Sequence, residues 1–321
     1  MSVVLKGAEL LYRGINRARR ALYRAGVLKS KRLPRTVVSI GNIAVGGGGK
    51  TPTTIAIAAA LATRGLRVTI LTRGYGGSAS AEPGTIVDRS DPERFGDEPC
   101  LLAEKLPDVD VVVGSDRFAS GTRYLDGHDC DLFLLDDGFQ HLQLHRDVDI
   151  VLDLPRARWQ REGRSALRHA TFVLRRVEAF SGAPFEAALE PVTFRLAGEP
   201  WPLEELRTRR VLAFAGLADN EQFFASLRAL GADIAAARSF NDHHRYTKGE
   251  IAALHSEAAQ LHAATVTTEK DWVKIADASI GVVESTMRIS GMDEIVERVE
   301  KVARSGAFAT GGERREARGD E

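Results

Sequence analysis

The stretch 41-GNIAVGGGGKTPTT-54 sets four consecutive glycines, Gly46 to Gly49, ahead of Lys50 and Thr51. It follows the apolar run 36-TVVSIGNI-43 and precedes an alanine-rich segment of helical composition. Strand, glycine loop and helix in that order are the context a phosphate-binding loop requires. Glycines let successive backbone N–H groups curl round a polyphosphate without Cβ clashes, and the helix N-terminus adds partial positive charge. On this reading Ala44, Val45, Gly46, Gly47, Gly48, Gly49, Lys50 and Thr51 cradle the phosphates of ATP. Lys50 reaches the β- and γ-phosphates, and Thr51 ligates Mg²⁺. Pro52 falls in the first helical turn, where a missing N–H costs little. The pattern G-x-x-x-x-G-K-[ST] asks for glycine where this chain has Ala44, and a merely flexible glycine-rich turn is the competing reading.

Outward from the loop, short apolar runs alternate with helical patterns: 66-LRVTILT-72, 109-VDVVVG-114, 131-DLFLLDD-137, 148-VDIVLDL-154 and 171-TFVLRR-176. Nearly continuous Val, Ile and Leu suits strands covered on both faces. The expected fold is α/β, a P-loop NTPase-like, mostly parallel sheet with helices on both faces. The stretch 181-SGAPFEAALEP-191 carries two prolines and a glycine and reads as a boundary. The pattern then restarts, so the chain divides into a basic N-terminal helix over 1–35, a kinase-like domain over 36–190 and a smaller α/β domain over 191–306. The tail 307–321 reads as disordered.

Lys+Arg and Asp+Glu each number 44, so the formal charge is zero, yet residues 1–35 hold ten basic residues against Glu9 alone. On a helix Val4, Ala8, Leu11, Ile15, Ala18 and Leu22 form an apolar stripe, with Arg13, Arg17, Arg20 and Arg24 about 200° round from it. Such a helix suits an anionic membrane surface, or packs on its own domain with its arginines in water. No window reaches the roughly 18 apolar residues of a spanning helix. Two cysteines, Cys100 and Cys130, and no secretory signal point to a reducing cytoplasm. No nucleic-acid signature and no obligatory protein partner are evident.

The run 131-DLFLLDDGFQH-141 ends an apolar strand on Asp136 and Asp137, the place where a metal-orienting acid belongs in an open α/β sheet. Two segments offer a base for an acceptor hydroxyl. In 94-RFGDEP-99 it is Asp97 or Glu98; in 240-FNDHHRYT-247 it is Asp242 or a histidine beside it. Helix capping by Asp97 and Asp242 is the plain alternative.

The strings GNIAVGGGGKTP, 72-TRGYGG-77, GDEP, 114-GSDR-117, DDGFQH, 214-FAGLADNEQFF-224, DHHRYT and 267-TTEKD-271, in this order, resemble the tetraacyldisaccharide 4′-kinase family of lipid A biosynthesis. The resemblance covers residues 36–275. It implies ATP-dependent phosphorylation of the 4′-hydroxyl of a tetraacylated glucosamine disaccharide 1-phosphate, giving lipid IVA, by a peripheral enzyme at the cytoplasmic face of the inner membrane. It places the catalytic carboxylate on Asp97, its paired histidine on His243, and metal-site acids on Asp136 and Asp137. Arg73, Tyr75, Asp116 and Arg117 are implied as cleft residues. The pattern breaks at 155-PRARWQREGRSALRHA-170, where Leu167 and Arg168 align, Arg168 as a further substrate residue, and His169 replaces an acid. A membrane-cycling P-loop ATPase switch and a sugar kinase with a shifted acceptor are the rival readings.

Overall fold

The computed structural model describes residues 3–44, 48–155 and 159–316. The chain opens with α1 (Val3–Arg24), then β1 (Thr36–Asn42), α2 (Lys50–Thr63), β2 (Val68–Thr72), β3 (Thr85–Ile86), α3 (Pro92–Phe95) and α4 (Asp97–Lys105). It continues through β4 (Asp110–Val113), α5 (Arg117–Leu125), β5 (Leu132–Leu135), β6 (Val148–Asp153), β7 (Phe172–Val177), β8 (Glu186–Leu196) and β9 (Glu199–Trp201). The last part comprises β10 (Arg210–Ala215), α6 (Asn220–Ala229), β11 (Asp233–Ser239), α7 (Lys248–Gln260), β12 (Ala264–Thr268), α8 (Glu269–Ile275), β13 (Gly281–Ile289) and α9 (Met292–Glu316).

One 13-stranded sheet runs β11-β10-β12-β13-β8-β7-β6-β1-β5-β2-β4-β3, with β9 on β8. Pairing is parallel except for β13 with β8, β9 with β8 and β3 with β4. Every residue of β1 is buried, as a central parallel strand demands. Val38, Ile40, Ile70 and Leu134 meet Ile57, Ala58 and Leu61 of α2 in the main core. Each such side chain contributes about 1.5–3 kcal/mol by leaving water. Gly41 is fixed by close approach, since a Cβ there would stand 2.7 Å from that of Phe139.

The position expected as a domain boundary, 190/191, falls inside β8. The sheet register shifts there: Glu284 pairs with Thr193 and Ser285 with Pro191, leaving Val192 between them. A bulge is where a strand tolerates proline, so the Pro and Gly signals of 181–191 mark an irregular strand start rather than a break in the sheet. A second core gathers Phe194, Val211, Phe224, Leu227 and Val266 beyond that point. The chain then returns, for Ile295, Val296, Val299 and Ala303 of α9 pack into the first core. Residues 307–316, expected in a disordered tail, continue α9; residues 317–321 lie outside the described residues.

Helix α1 is docked by a buried ion pair. Arg20, one of the arginines expected in water, donates from Nε and Nη2 to Glu162 at 2.8 and 2.7 Å. Asn16 Nδ2 adds a bond to the Arg161 carbonyl at 2.9 Å, so the divergent 155–170 segment forms the seat of the helix. The exposed apolar stripe survives in Leu11 and Ile15, at 68% and 55% exposure. Arg20→Ala would leave the Glu162 carboxylate buried and unpaired, a loss of about 3–5 kcal/mol. Hydrogen exchange of the α1 amides should accelerate strongly in this variant while the β1 amides stay protected.

Candidate active site

The parallel register of β1 with β5, Thr36 opposite Leu132 through Ser39 opposite Leu135, brings two chain ends together at the carboxyl edge of the sheet. One leads into the glycine loop and the other into Asp136 and Asp137. Gly49 is left-handed, φ 85°, and caps α2, whose first turn presents Lys50 and the buried Thr51. The candidate phosphate-loop residues Val45, Gly46 and Gly47 lie outside the described residues. Ala44 is buried and bridges to Gln160, which gives that position a packing role.

Asp136 is buried and accepts from Thr54 Oγ1 at 2.8 Å. Burial pushes its carboxyl up to about 7, with Glu98 adding to the effect. Asp137, left-handed at φ 53°, turns the chain into Gly138. Burial raises its carboxyl too, but Lys50 and Arg161 outweigh that and hold it below the ordinary value. Lys50 Nζ lies 3.9 Å and Arg161 Nη1 2.9 Å from the Asp137 carboxylate. Among the described residues no three His, Cys, Asp or Glu side chains converge as a metal cage. Mg²⁺ does not need one, because it is held by one or two carboxylates with water and phosphate oxygens. The donor set fits such an ion. Burial, which Thr54 and Lys50 only partly offset, leaves Asp136 titrating at about 7, where a cation readily replaces its proton, and the Thr51 hydroxyl stands in the same helix turn that binds Asp136 through Thr54.

The opposite wall comes from distant sequence. Gly96, φ 93°, caps α4; a Cβ there would stand 2.5 Å from the Tyr75 carbonyl oxygen, so this glycine lets the 72–77 loop close on α4. Asp97 is the first residue of α4 and caps nothing. Its Oδ2 lies 3.4 Å from His243 Nδ1, across 146 residues of chain. His243 is held left-handed at φ 60°, its own N–H bonded to Asp242 Oδ1 at 3.1 Å, and its ring lies 5.4 Å from that of Tyr75. His244 is otherwise engaged, with Nε2 3.1 Å from Glu250 Oε1 and its ring against Phe240. Asp242 does not cap α7 either, since Thr247 and Glu250 form the capping box there. It accepts instead from Lys270 Nζ at 3.0 Å.

Between the walls lies a cleft of about 950 Å³. Lys50, Asp136 and Asp137 line its floor, with Arg73, Tyr75 and Arg117 beside them. His243 and Lys270 line the far side, and Tyr12, Asn16 and Arg19 of α1 close it at the mouth. Asp97 sits behind His243, its side chain 17% exposed. Arg117 is buried, and burial together with Arg73 pushes its guanidinium down to about 10. Burial and the same arginines hold the His141 imidazole neutral, down to about 4. Two residues expected to meet the substrate make other contacts. Asp116 caps α5 by accepting from the Ala119 N–H at 3.0 Å, and Arg168 lines a separate groove beside Arg13 and Arg17 of α1. Arg161 and Lys270 carry no site role in the sequence reading; for Lys270 the quoted TTEKD string was the available signal.

These features carry a family match. A family model described as tetraacyldisaccharide-1-P 4′-kinase matches residues 1–304. The chain belongs to that family. A tetraacyldisaccharide 4′-kinase of Pelobacter propionicus is 42% identical over 298 residues, covering 83% of this chain and 81% of the relative. One of Geobacter sulfurreducens is 37% identical, covering 86% and 85%. Among solved structures, LpxK from Aquifex aeolicus, an "apo" form in complex with ATP, aligns with a TM-score of 0.74 at 31% identity over 93% of this chain and 98% of that one. As a member of this kinase family the chain transfers phosphate to a hydroxyl, and neither the ATPase switch nor the shifted sugar kinase is favoured.

Asp136 sets a pH dependence without added divalent cation. Below about pH 4 folded and unfolded states both hold its proton; between its ordinary 3.8 and about 7 only the folded state does, so stability falls as pH rises through that window. Asp136→Asn should raise the thermal midpoint by several degrees at pH 8 and leave it nearly unchanged at pH 4, read by differential scanning calorimetry.

Proposed function

We propose that this chain transfers the γ-phosphoryl group of ATP to the 4′-hydroxyl of a tetraacylated glucosamine disaccharide 1-phosphate, the 4′-kinase step of lipid A biosynthesis. The observation that carries this reading is the Asp97–His243 contact facing Lys50 and Asp136 across the cleft. A hydrolase working on water needs no second carboxylate–imidazole pair opposite its phosphate loop, whereas an acceptor hydroxyl must be oriented and deprotonated.

The α2 N-terminus, Gly48, Gly49 and Lys50, with the loop before them, hold the phosphates. Lys50 leaves Asp137 for the γ-phosphoryl oxygens, and Arg117 lies within reach of the same charge. Thr51 and Asp136 would hold Mg²⁺ directly, with Asp137 supporting it; when bound, the ion neutralises charge on the phosphate oxygens. The acceptor hydroxyl gives its proton to the Asp97–His243 pair, with Asp97 as the base. His243, placed by Asp242 and covered by Tyr75, fixes the carboxylate and shares its charge. Closure of the 191–289 part of the sheet on the phosphate loop excludes water, which would otherwise consume the donor.

The acceptor is a lipid, and α1 supports its recruitment. Tyr12, Asn16 and Arg19 line the cleft, while Leu11 and Ile15, close to them round the helix, are exposed. An apolar face lying on the bilayer thus opens the cleft at the surface from which the acceptor comes. Among the described residues no helix is long and apolar enough to cross a membrane. We place the enzyme peripherally on the cytoplasmic face of the inner membrane.

In detergent, ATP-dependent labelling of tetraacyldisaccharide 1-phosphate tests the reaction. Asp97→Asn should lower kcat by about 10²–10⁴-fold while ATP binding, followed by calorimetry, stays near wild type. Retained turnover in that variant would remove Asp97 as the base. Leu11→Glu together with Ile15→Glu should abolish cosedimentation with vesicles containing anionic lipid and leave the thermal midpoint unchanged.

A further inference from the structure

Helix α8 sends two lysines, one turn apart, toward the first turn of α4. Lys270 is the outer one, lining the cleft and pairing with Asp242 at 3.0 Å and Glu98 at 3.5 Å. Lys274 is the inner one, with its side chain only 5% exposed. Its Nζ stands 2.7 Å from Asp271 Oδ1 and 3.9 Å from Asp97 Oδ2. A buried ammonium is strongly unfavourable unless carboxylates compensate it, so this placement is specified by the two acids.

The inner acid is anchored firmly. Asp271 is fully buried, and its Oδ2 accepts from the Gly216 N–H at 2.9 Å and from Thr268 Oγ1 at 2.8 Å. The Tyr246 ring covers the ammonium at 5.3 Å. Lys274 is therefore a rigid point charge set from the part of the sheet that holds β10 and β12, aimed at a carboxylate on α4. It meets the same Asp97 oxygen that His243 approaches at 3.4 Å. Two cationic or proton-donating groups on Oδ2 leave Oδ1 as the oxygen available to an acceptor.

We propose that Lys274 is a positioning residue for the phosphoryl transfer, holding Asp97 through Oδ2 in one rotamer and balancing its charge together with His243. The proposal rests on Asp97 being the base. The groups facing Asp97 make a counter-charge necessary. Glu98 and the Cys100 thiol share its helix, Asp242 accompanies His243, and Asp271 and Lys270 come from α8. From α3, Arg94 is turned away toward Glu82 at 3.2 Å. Without Lys274, Asp97 faces three further carboxylates with Lys270 and His243 alone to balance them. An opposite charge within about 4–6 Å moves a carboxyl by about 1–3 pH units.

The test is the pH dependence of kcat/KM for the lipid acceptor in Lys274→Gln, Lys274→Met and Lys274→Arg. The neutral variants should move the acid limb upward by about 1–3 units. Activity should be largely recovered at pH 9, ATP affinity should hold, and Arg should restore the wild-type profile. Thermal melting accompanies each variant; if Met does not fold, Gln, which is neutral but polar, carries the comparison with Arg. A folded neutral variant whose acid limb does not move overturns the proposal. The two readings fail differently: an active Asp97→Asn removes the base itself, whereas an inactive Asp97→Asn beside an unshifted Lys274→Gln removes only the role of Lys274.

Discussion

The parallel pairing of β1 between β5 and β6 is the constraint on which the chemistry of this molecule depends. In a parallel sheet the carboxyl ends of neighbouring strands lie on one edge, and a fixed register decides which residues meet there. Val38 opposite both Leu134 and Val148 sets that register from the core. Gly49, Asp136 and α2 then have no freedom to part. Because successive side chains alternate faces, a slip of one residue would bury what must face the cleft, and the apolar runs on both sides of β1 forbid it. The bond from Thr54 to Asp136 is the local expression of that constraint, tying the helix that begins at Lys50 to the acid beyond β5.

Charge balance is the second constraint, and it explains why the cleft has two walls. Asp97, Glu98, Asp136, Asp137 and Asp242 converge on one cavity and its lining. Asp137 is compensated by Lys50 and Arg161, whereas at Asp136 burial and Glu98 outweigh Thr54 and Lys50 and push the carboxyl up to about 7. The far wall carries its own cations, Lys270 and Lys274, which reach α4 from α8. Lys105 of α4 reaches back to Glu269 and, at 3.0 Å, to Glu284. These reciprocal pairs tie α4 to the β12–β13 region, so the helix bearing Asp97 is held by both parts of the sheet. A site assembled this way answers a change of charge on its ligands by a change of proton or ion occupancy at Asp136, without refolding.

What the sequence made readable follows the range over which each interaction acts. The Lys50–Thr51 helix start and the Asp136–Asp137 strand end are local patterns, and their side chains stand at the same sheet edge. The contact of Asp97 with His243 spans 146 residues, and no spacing rule announces it; the family resemblance placed the two together. Asp116 and Arg168 differ: the resemblance implied a cleft residue and a substrate residue, and the contacts they make are a helix cap for Asp116 and a groove beside α1 for Arg168. The helical wheel set Arg20 in water because a wheel knows only its own helix. Its partner Glu162 lies in the segment where the family pattern breaks, so neither periodicity nor resemblance pointed to the pair. The proline at 191 was read as punctuation between domains, but a bulge inside β8 accommodates it equally well.

The docking of α1 by that pair bears on how a soluble nucleotide and a lipid meet at one cleft. A helix rests on a bilayer through its apolar face in whatever orientation the rest of the protein permits. Here Arg20–Glu162 and Asn16–Arg161 fix the rotation of α1, so the angle between its exposed stripe and the cleft is set before any membrane is met. The same short segment does both tasks: Arg161 holds Asp137 with its side chain and α1 with its carbonyl oxygen. Displacement of α1 is therefore coupled mechanically to the acid beside Lys50. Change at Arg161 or Glu162 then alters the pose of α1 and the lysine end of the cleft together, which gives this part of the divergent segment a route to activity that needs no direct contact with the sugar.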